Sequence, residues 1–117
     1  MDFHDALKIK MHRYVKGVYK KTKTFPRDEL YGVTSQLRRA SLSVILNYIE
    51  GYARRRGNDC RVYKNFLEMS YGSLRESKYL LYFSYSENYL DKNAYDELIK
   101  TAEDIGGMLW GMINKMR

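Results

Sequence analysis

One cysteine, one proline, two histidines and no long apolar run set the first limits on this chain. A lone thiol, Cys60, can form no internal disulfide, which fits a reducing compartment. Arg55, Arg56 and Arg61 could lower its pKa, but no resolving thiol or base stands beside it to make it a nucleophile. The histidines, His4 and His12, are eight residues apart and read as facing solvent or phosphate rather than metal. Neither follows a glutamate by three, so the Glu-x-x-His pairs of a di-iron bundle are missing. Phosphate-cradling glycine loops, Cys-x-x-Cys pairs and nucleophilic triads are missing too. The expectation is a protein that is not an enzyme and carries no cofactor or metal. No segment approaches the roughly eighteen apolar residues of a membrane span. The start, MDFHDALKIK, has no signal-peptide core. A cytoplasmic location and no membrane partner are expected.

Scarcity of proline favours long helices, and apolar residues recur at helical spacing through most of the chain. Phe3, Leu7, Met11, Tyr14 and Val18 predict a first helix over 3–23. Pro26 suits the first turn of a second helix over 27–56. Its seam runs Leu30, Val33, Leu37, Ala40 and Val44, and Gln36, Arg39, Ser43, Asn47 and Glu50 sit beside it. These polar groups pair with one another or with a neighbouring helix, or else face water on a flank. Gly57 reads as a stop, and Asn58 or Asp59 as the next cap. A third helix over 59–88 carries the seam Tyr63, Phe66, Ser70, Leu74, Ser77, Leu81 and Ser84. A fourth over 92–115 carries Tyr95, Leu98, Ala102, Ile105, Leu109, Met112 and Met116. Gly106, Gly107 and Gly111 weaken that helix, and close packing is the expected compensation. Short connections make this one all-α domain over 1–117, an up-down-up-down antiparallel four-helix bundle.

The net charge of +7 is unevenly spread. Residues 1–56 carry thirteen Lys and Arg against five Asp and Glu, whereas 57–117 carry eight against nine. Such asymmetry is the footprint of a site for a polyanion, or else a solvated helix face. The candidate phosphate contacts are Lys8, Lys16, Lys20 and Lys21 in the first helix, with Arg38, Arg39, Arg54, Arg55, Arg56 and Arg61 around the second. Lys20 and Lys21 also complement a helix dipole, and Arg38 and Arg39 could instead pair with Glu50 and Glu76. A tyrosine stripe, Tyr71, Tyr82, Tyr85 and Tyr89, reads as a self-association interface or as a cover for the core.

The central residues carry a resemblance. Phe25-Pro26, Glu29, Tyr31-Gly32, Gln36 to Ala40, Ser43-Val44, Asn47, Glu50-Gly51 and Arg54, then Phe66-Leu67, Gly72-Ser73-Leu74 and Glu76, resemble the bacterial four helix bundle protein family. That family is also known from reading frames in 23S ribosomal RNA intervening sequences. Tyr48-Ile49 replaces a frequent isoleucine-alanine pair, and Asn58 a frequent serine. The resemblance implies a four-helix bundle forming a ring-shaped homopentamer. It also implies kinship with the accessory variability proteins of diversity-generating retroelements, basic barrels that engage nucleic acid and a reverse transcriptase. Two functions are therefore expected in competition. One is an oligomeric module binding structured RNA or DNA through phosphates. The other is a scaffold or accessory subunit docking a protein partner such as a reverse transcriptase.

Overall fold

Asp2 begins the first helix, its carboxylate accepting the Asp5 amide hydrogen at 2.8 Å in place of the missing preceding turn. In the computed structural model, which describes every residue except Arg56, Asn58 and Arg117, α1 spans Phe3–Thr22, α2 Ser35–Ala53, α3 Arg61–Ser86 and α4 Lys92–Lys115. Asp91 caps α4 through the Ala94 amide at 2.8 Å. Asn88, at φ 65°, closes α3 by returning the Tyr89 amide to the Ser84 carbonyl at 2.8 Å.

Contacts fix the topology. His4 and Thr22 of α1 reach Tyr48 and Arg38 of α2, so these two helices are antiparallel. Ser43 meets Ser73 and Gly51 meets Phe66, which reverses α3 against α2. Tyr71 lies against Trp110, and Tyr85 against Tyr95, which reverses α4 again. Gly17 faces Leu98 and closes the ring of four. The all-α up-down-up-down bundle read from the sequence is the fold.

The core is built from the expected seams with shifts at their edges. Leu7, Met11, Tyr14 and Val18 are fully buried, while Phe3 at the open end is about half exposed. In α3, Leu67 takes the buried place expected of Phe66, which lies beside it on the flank. In α4, Ala94 and Ile113 are buried, and Tyr95, Met112 and Met116 pack partly covered at the edge. Tyr14 crosses the centre and donates to Ser77 Oγ at 2.7 Å, because the Ser77 hydroxyl spends its own proton on the Leu74 carbonyl. Burial raises the Tyr14 hydroxyl pKa above its ordinary value.

The second helix departs most from the expected 27–56. A 3-10 turn, Arg27–Glu29, leads into a π turn, Leu30–Thr34, and regular α-helix begins only at Ser35. The wider turn rotates Leu30 off the seam, leaving it 48% exposed. Glu29 explains the turn: its carboxylate accepts the Val33 amide at 3.3 Å and the Tyr89 hydroxyl at 3.0 Å. A Cβ on Gly32 would sit 2.5 Å from Glu29 Oε1, so that arrangement needs glycine at 32. At the other end α2 stops at Ala53, before the Gly57 expected to end it.

The glycines divide into two kinds. A Cβ on Gly51 would lie 2.6 Å from Phe66 Cβ, an atom fixed to the backbone of α3. Close packing also accounts for Gly106, where the Leu74 side chain stands 3.3 Å away. It does not account for Gly107 and Gly111, which have nothing within 4 Å. Gly107→Ala and Gly111→Ala should each stabilise the fold by up to about 1 kcal/mol in urea denaturation. Gly51→Ala should destabilise it by about 1–2 kcal/mol, overpacking outweighing the helix-propensity gain.

Candidate functional site

Residues 36, 39, 43, 47, 50 and 54 step by three and four, and so form one stripe of α2, which faces α3. The Arg39 guanidinium donates to Gln36 Oε1 at 3.1 Å and pairs with Glu76 across the helices. One level on, Ser43 Oγ and Ser73 Oγ are 2.8 Å apart, and Asn47 Nδ2 donates to the Ser43 carbonyl and hydroxyl at 2.9 Å each. Ser70 Oγ donates to the Val44 carbonyl at 2.6 Å. At the far end Arg54 Nε donates to Glu50 at 2.9 Å, with the guanidinium 5.5 Å from the Phe66 ring centre. These polar residues therefore pair with one another and with α3.

Most candidate arginines are engaged in the same way. Arg38 meets no carboxylate; its Nε donates to Thr22 Oγ1 at 2.8 Å and its guanidinium lies 4.8 Å from the Tyr19 ring centre. Arg55 lies 3.6 Å over the Tyr52 ring and donates to the Tyr52 carbonyl at 3.1 Å. Arg61 clasps Asp59 through Nε and Nη2 at 3.2 and 3.0 Å, and hydrogen bonds from Arg61 lower the Asp59 carboxyl pKa. Arg56 lies outside the described residues. Lys8 stands 3.9 Å from Asp5, and Lys21 is half-buried beside the Tyr89–Asp91 turn. The ten candidates do not converge on one patch.

One group of unpaired basic side chains lies on the outer stripe of α1; Arg27 before α2, Arg75 on α3, and Lys100 and Lys115 on α4 are likewise exposed with no carboxylate within 4 Å among the described residues, but on separate elements. On the α1 stripe the pattern is continuous. His12, Arg13, Lys16, Lys20 and Lys23 are all exposed, and none has a carboxylate within 4 Å among the described residues. Of these, Arg13 and Lys23 were not among the candidates, although the spacing 9, 12, 13, 16, 20, 23 marks one helix face. Beside this stripe a hollow of about 460 Å³ is lined by Tyr19, Tyr31, Arg38, Arg39 and Leu42 among others. Tyr31, on the π turn, is 91% exposed. Only the irregular start of α2 makes it so, and helical periodicity could not reveal that.

The tyrosine stripe is split between inner and outer roles. Tyr85 stacks on Tyr95 with ring centres 4.8 Å apart, and Tyr71 lies 6.1 Å from Trp110. Tyr89 is tied to Glu29, and that hydrogen bond raises its hydroxyl pKa. Tyr82 remains more than half exposed, as do Tyr79 on α3 and, at half, Trp110 on α4. On the outer surfaces of α2 and α3, Leu46, Ile49, Val62 and Met69 are also uncovered. Among the described residues, no three of His, Cys, Asp and Glu gather to hold a metal ion, and no helix is long and apolar enough to cross a membrane.

Of the residues that carry the resemblance, Glu29, Gln36, Arg39, Ser43, Asn47, Glu50, Arg54, Ser73 and Glu76 are paired internally. The sequence profile described as 23S rRNA-intervening sequence protein matches residues 7–111. The chain belongs to that family. A solved structure from Bacteroides thetaiotaomicron, described as a protein with unknown function from the S23 ribosomal protein family, superposes with a TM-score of 0.79 at 17% identity. It covers 92% of this chain and 97% of its own, a likeness of fold alone. No curated protein matches the chain. The matched residues include both the polar and small-residue seam that locks α2 to α3 and the exposed cations of α1.

Proposed function

We propose that this chain is a non-enzymatic binding module that holds structured RNA or DNA through phosphate contacts from α1. The observation that carries this is that Arg13, Lys16, Lys20 and Lys23, with His12 among them, share one outer face of the first helix and its end, and no carboxylate neutralises these four cations. Lysines and arginines on a rigid helix are spaced for successive phosphates without reading bases. Tyr31, beside the stripe, offers a ring on which an unpaired base can stack. Arginines already held by Glu50, Asp59 and Glu76 contribute less, since each must first give up its partner.

The test is fluorescence anisotropy of a labelled RNA hairpin at increasing salt. Log affinity should fall linearly with log salt, with a slope of roughly −0.7 to −0.9 per phosphate neutralised. A slope near zero would overturn the phosphate reading.

A second reading, docking of a protein or nucleoprotein such as a reverse transcriptase, draws on the uncovered Leu46, Ile49, Val62 and Met69. Large apolar side chains left exposed on two neighbouring helices are what a face that meets protein offers. Self-association, as a pentameric ring in the resemblance, would use the same kind of surface, with Tyr82 supplying a further exposed aromatic. Light scattering across a dilution series distinguishes a stable oligomer from a monomer that exposes this face to another partner.

A further inference from the structure

At the end of the bundle where α1 and α3 begin and α4 finishes, a cavity of about 570 Å³ opens between the helices. Its size falls in the range of small-molecule sites, roughly 300–1,000 Å³. Phe3, Met108, Met112 and Met116 form the apolar wall. Methionine side chains adapt to irregular apolar ligands because they are unbranched and polarisable. Every charged side chain in the lining is basic: Arg55 and Lys115, with His4 beside them and no carboxylate among the described lining residues. Arg55 is held in place by the Tyr52 ring and carbonyl rather than by an acid, so its charge is available to a ligand. Lys115, in the last turn of α4, also suits the helix dipole, and that role does not occupy its ammonium group.

A further feature marks the cavity as more than a packing fault. Gly107 and Gly111 lie one turn apart on its α4 side, where alanine would strengthen the helix and meet no neighbour. Both positions leave open space where a side chain would stand.

We propose that this cavity binds a small amphipathic carboxylate, its apolar body against the methionines and its head group between Arg55 and Lys115. The binding is independent of the α1 stripe and of any nucleic acid.

The experiment is a decanoate titration of the full chain carrying ¹³C-methyl methionine, followed by NMR, with decanol as the uncharged comparison. Decanoate should move the Met108, Met112 and Met116 methyl signals saturably and leave Met11 and Met69 in place. Arg55→Ala with Lys115→Ala should weaken it roughly tenfold or more, the scale of losing charge-assisted contacts. Gly111→Leu should abolish the shifts by filling the space; if that variant fails to fold, the Arg55 and Lys115 double variant still decides the matter. Equal binding of decanol would overturn the anionic assignment. Unsaturable shifts that include Met69, or no shifts at all, would overturn the site. So would ligand-free shifts of the three methyls that depend on protein concentration, which would make a second copy of the chain the occupant.

Discussion

Tyr14→Ala should destabilise the bundle by about 3–5 kcal/mol, a large share of the 5–15 kcal/mol that holds an ordinary domain together. Tyr14 is fully buried at the centre of α1 and reaches diagonally to Ser77 on α3. Alanine there leaves a ring-sized void between helices already locked to their other neighbours, and such a frame collapses only in part. Urea denaturation should show a lower midpoint with an unchanged slope. Tyr14→Phe keeps the ring and removes one hydroxyl. Because Ser77 still donates to the Leu74 carbonyl, the loss should be only about 1 kcal/mol. The two variants also differ in alkaline titration. The folded state holds the Tyr14 proton to higher pH than the unfolded state does, so this contribution is full below about pH 10 and fades as pH rises. Tyr14→Phe should remove that part of the alkaline loss.

Combined reversal of Arg13, Lys16 and Lys20 to glutamate should weaken RNA binding roughly a hundredfold, at about fivefold for each lost phosphate contact. The salt slope should shrink by roughly two to three, one contact at a time. The three side chains are exposed and unpaired, so far-UV circular dichroism and the melting temperature should be nearly unchanged. Arg54→Gln is the control. Glu50 already holds that guanidinium, and its loss should change the slope by less than any one α1 reversal. If Arg54→Gln costs as much as the triple reversal, the contact surface lies on α2 and α3 instead.

The helical seams were legible because apolar side chains at three- and four-residue steps leave few alternatives to a bundle. The start of α2 was not. Its π turn depends on a carboxylate, Glu29, reaching forward to the Val33 amide and across to Tyr89, a partner sixty residues away. The adjacent Tyr31-Gly32 pair in the family pattern was the available signal, but only the space beside Gly32 shows why glycine is needed. The polar residues of α2 were legible as needing partners; whether they paired with each other or with water depended on the phase of α3. Arginine clustering overstated the basic surface, since Glu50, Asp59 and Glu76 neutralise much of it. The spacing of Arg13, Lys16, Lys20 and Lys23 pointed more directly to a helix face that stays charged.

The charges of α1 lie along one long edge of a body measuring 48 by 25 by 22 Å. The Arg39–Glu76 and Arg54–Glu50 pairs leave the α2–α3 seam close to neutral, whereas residues 1–25 carry seven Lys and Arg against two Asp, so positive charge is weighted toward the first helix. In the field of a polyanion, such a body experiences a torque before it makes any contact. It would turn its first helix toward the approaching phosphates and arrive lengthwise. Encounter would then be orientation-selective even where the final complex reads no sequence. Salt would act by abolishing this alignment as well as by weakening the contacts themselves.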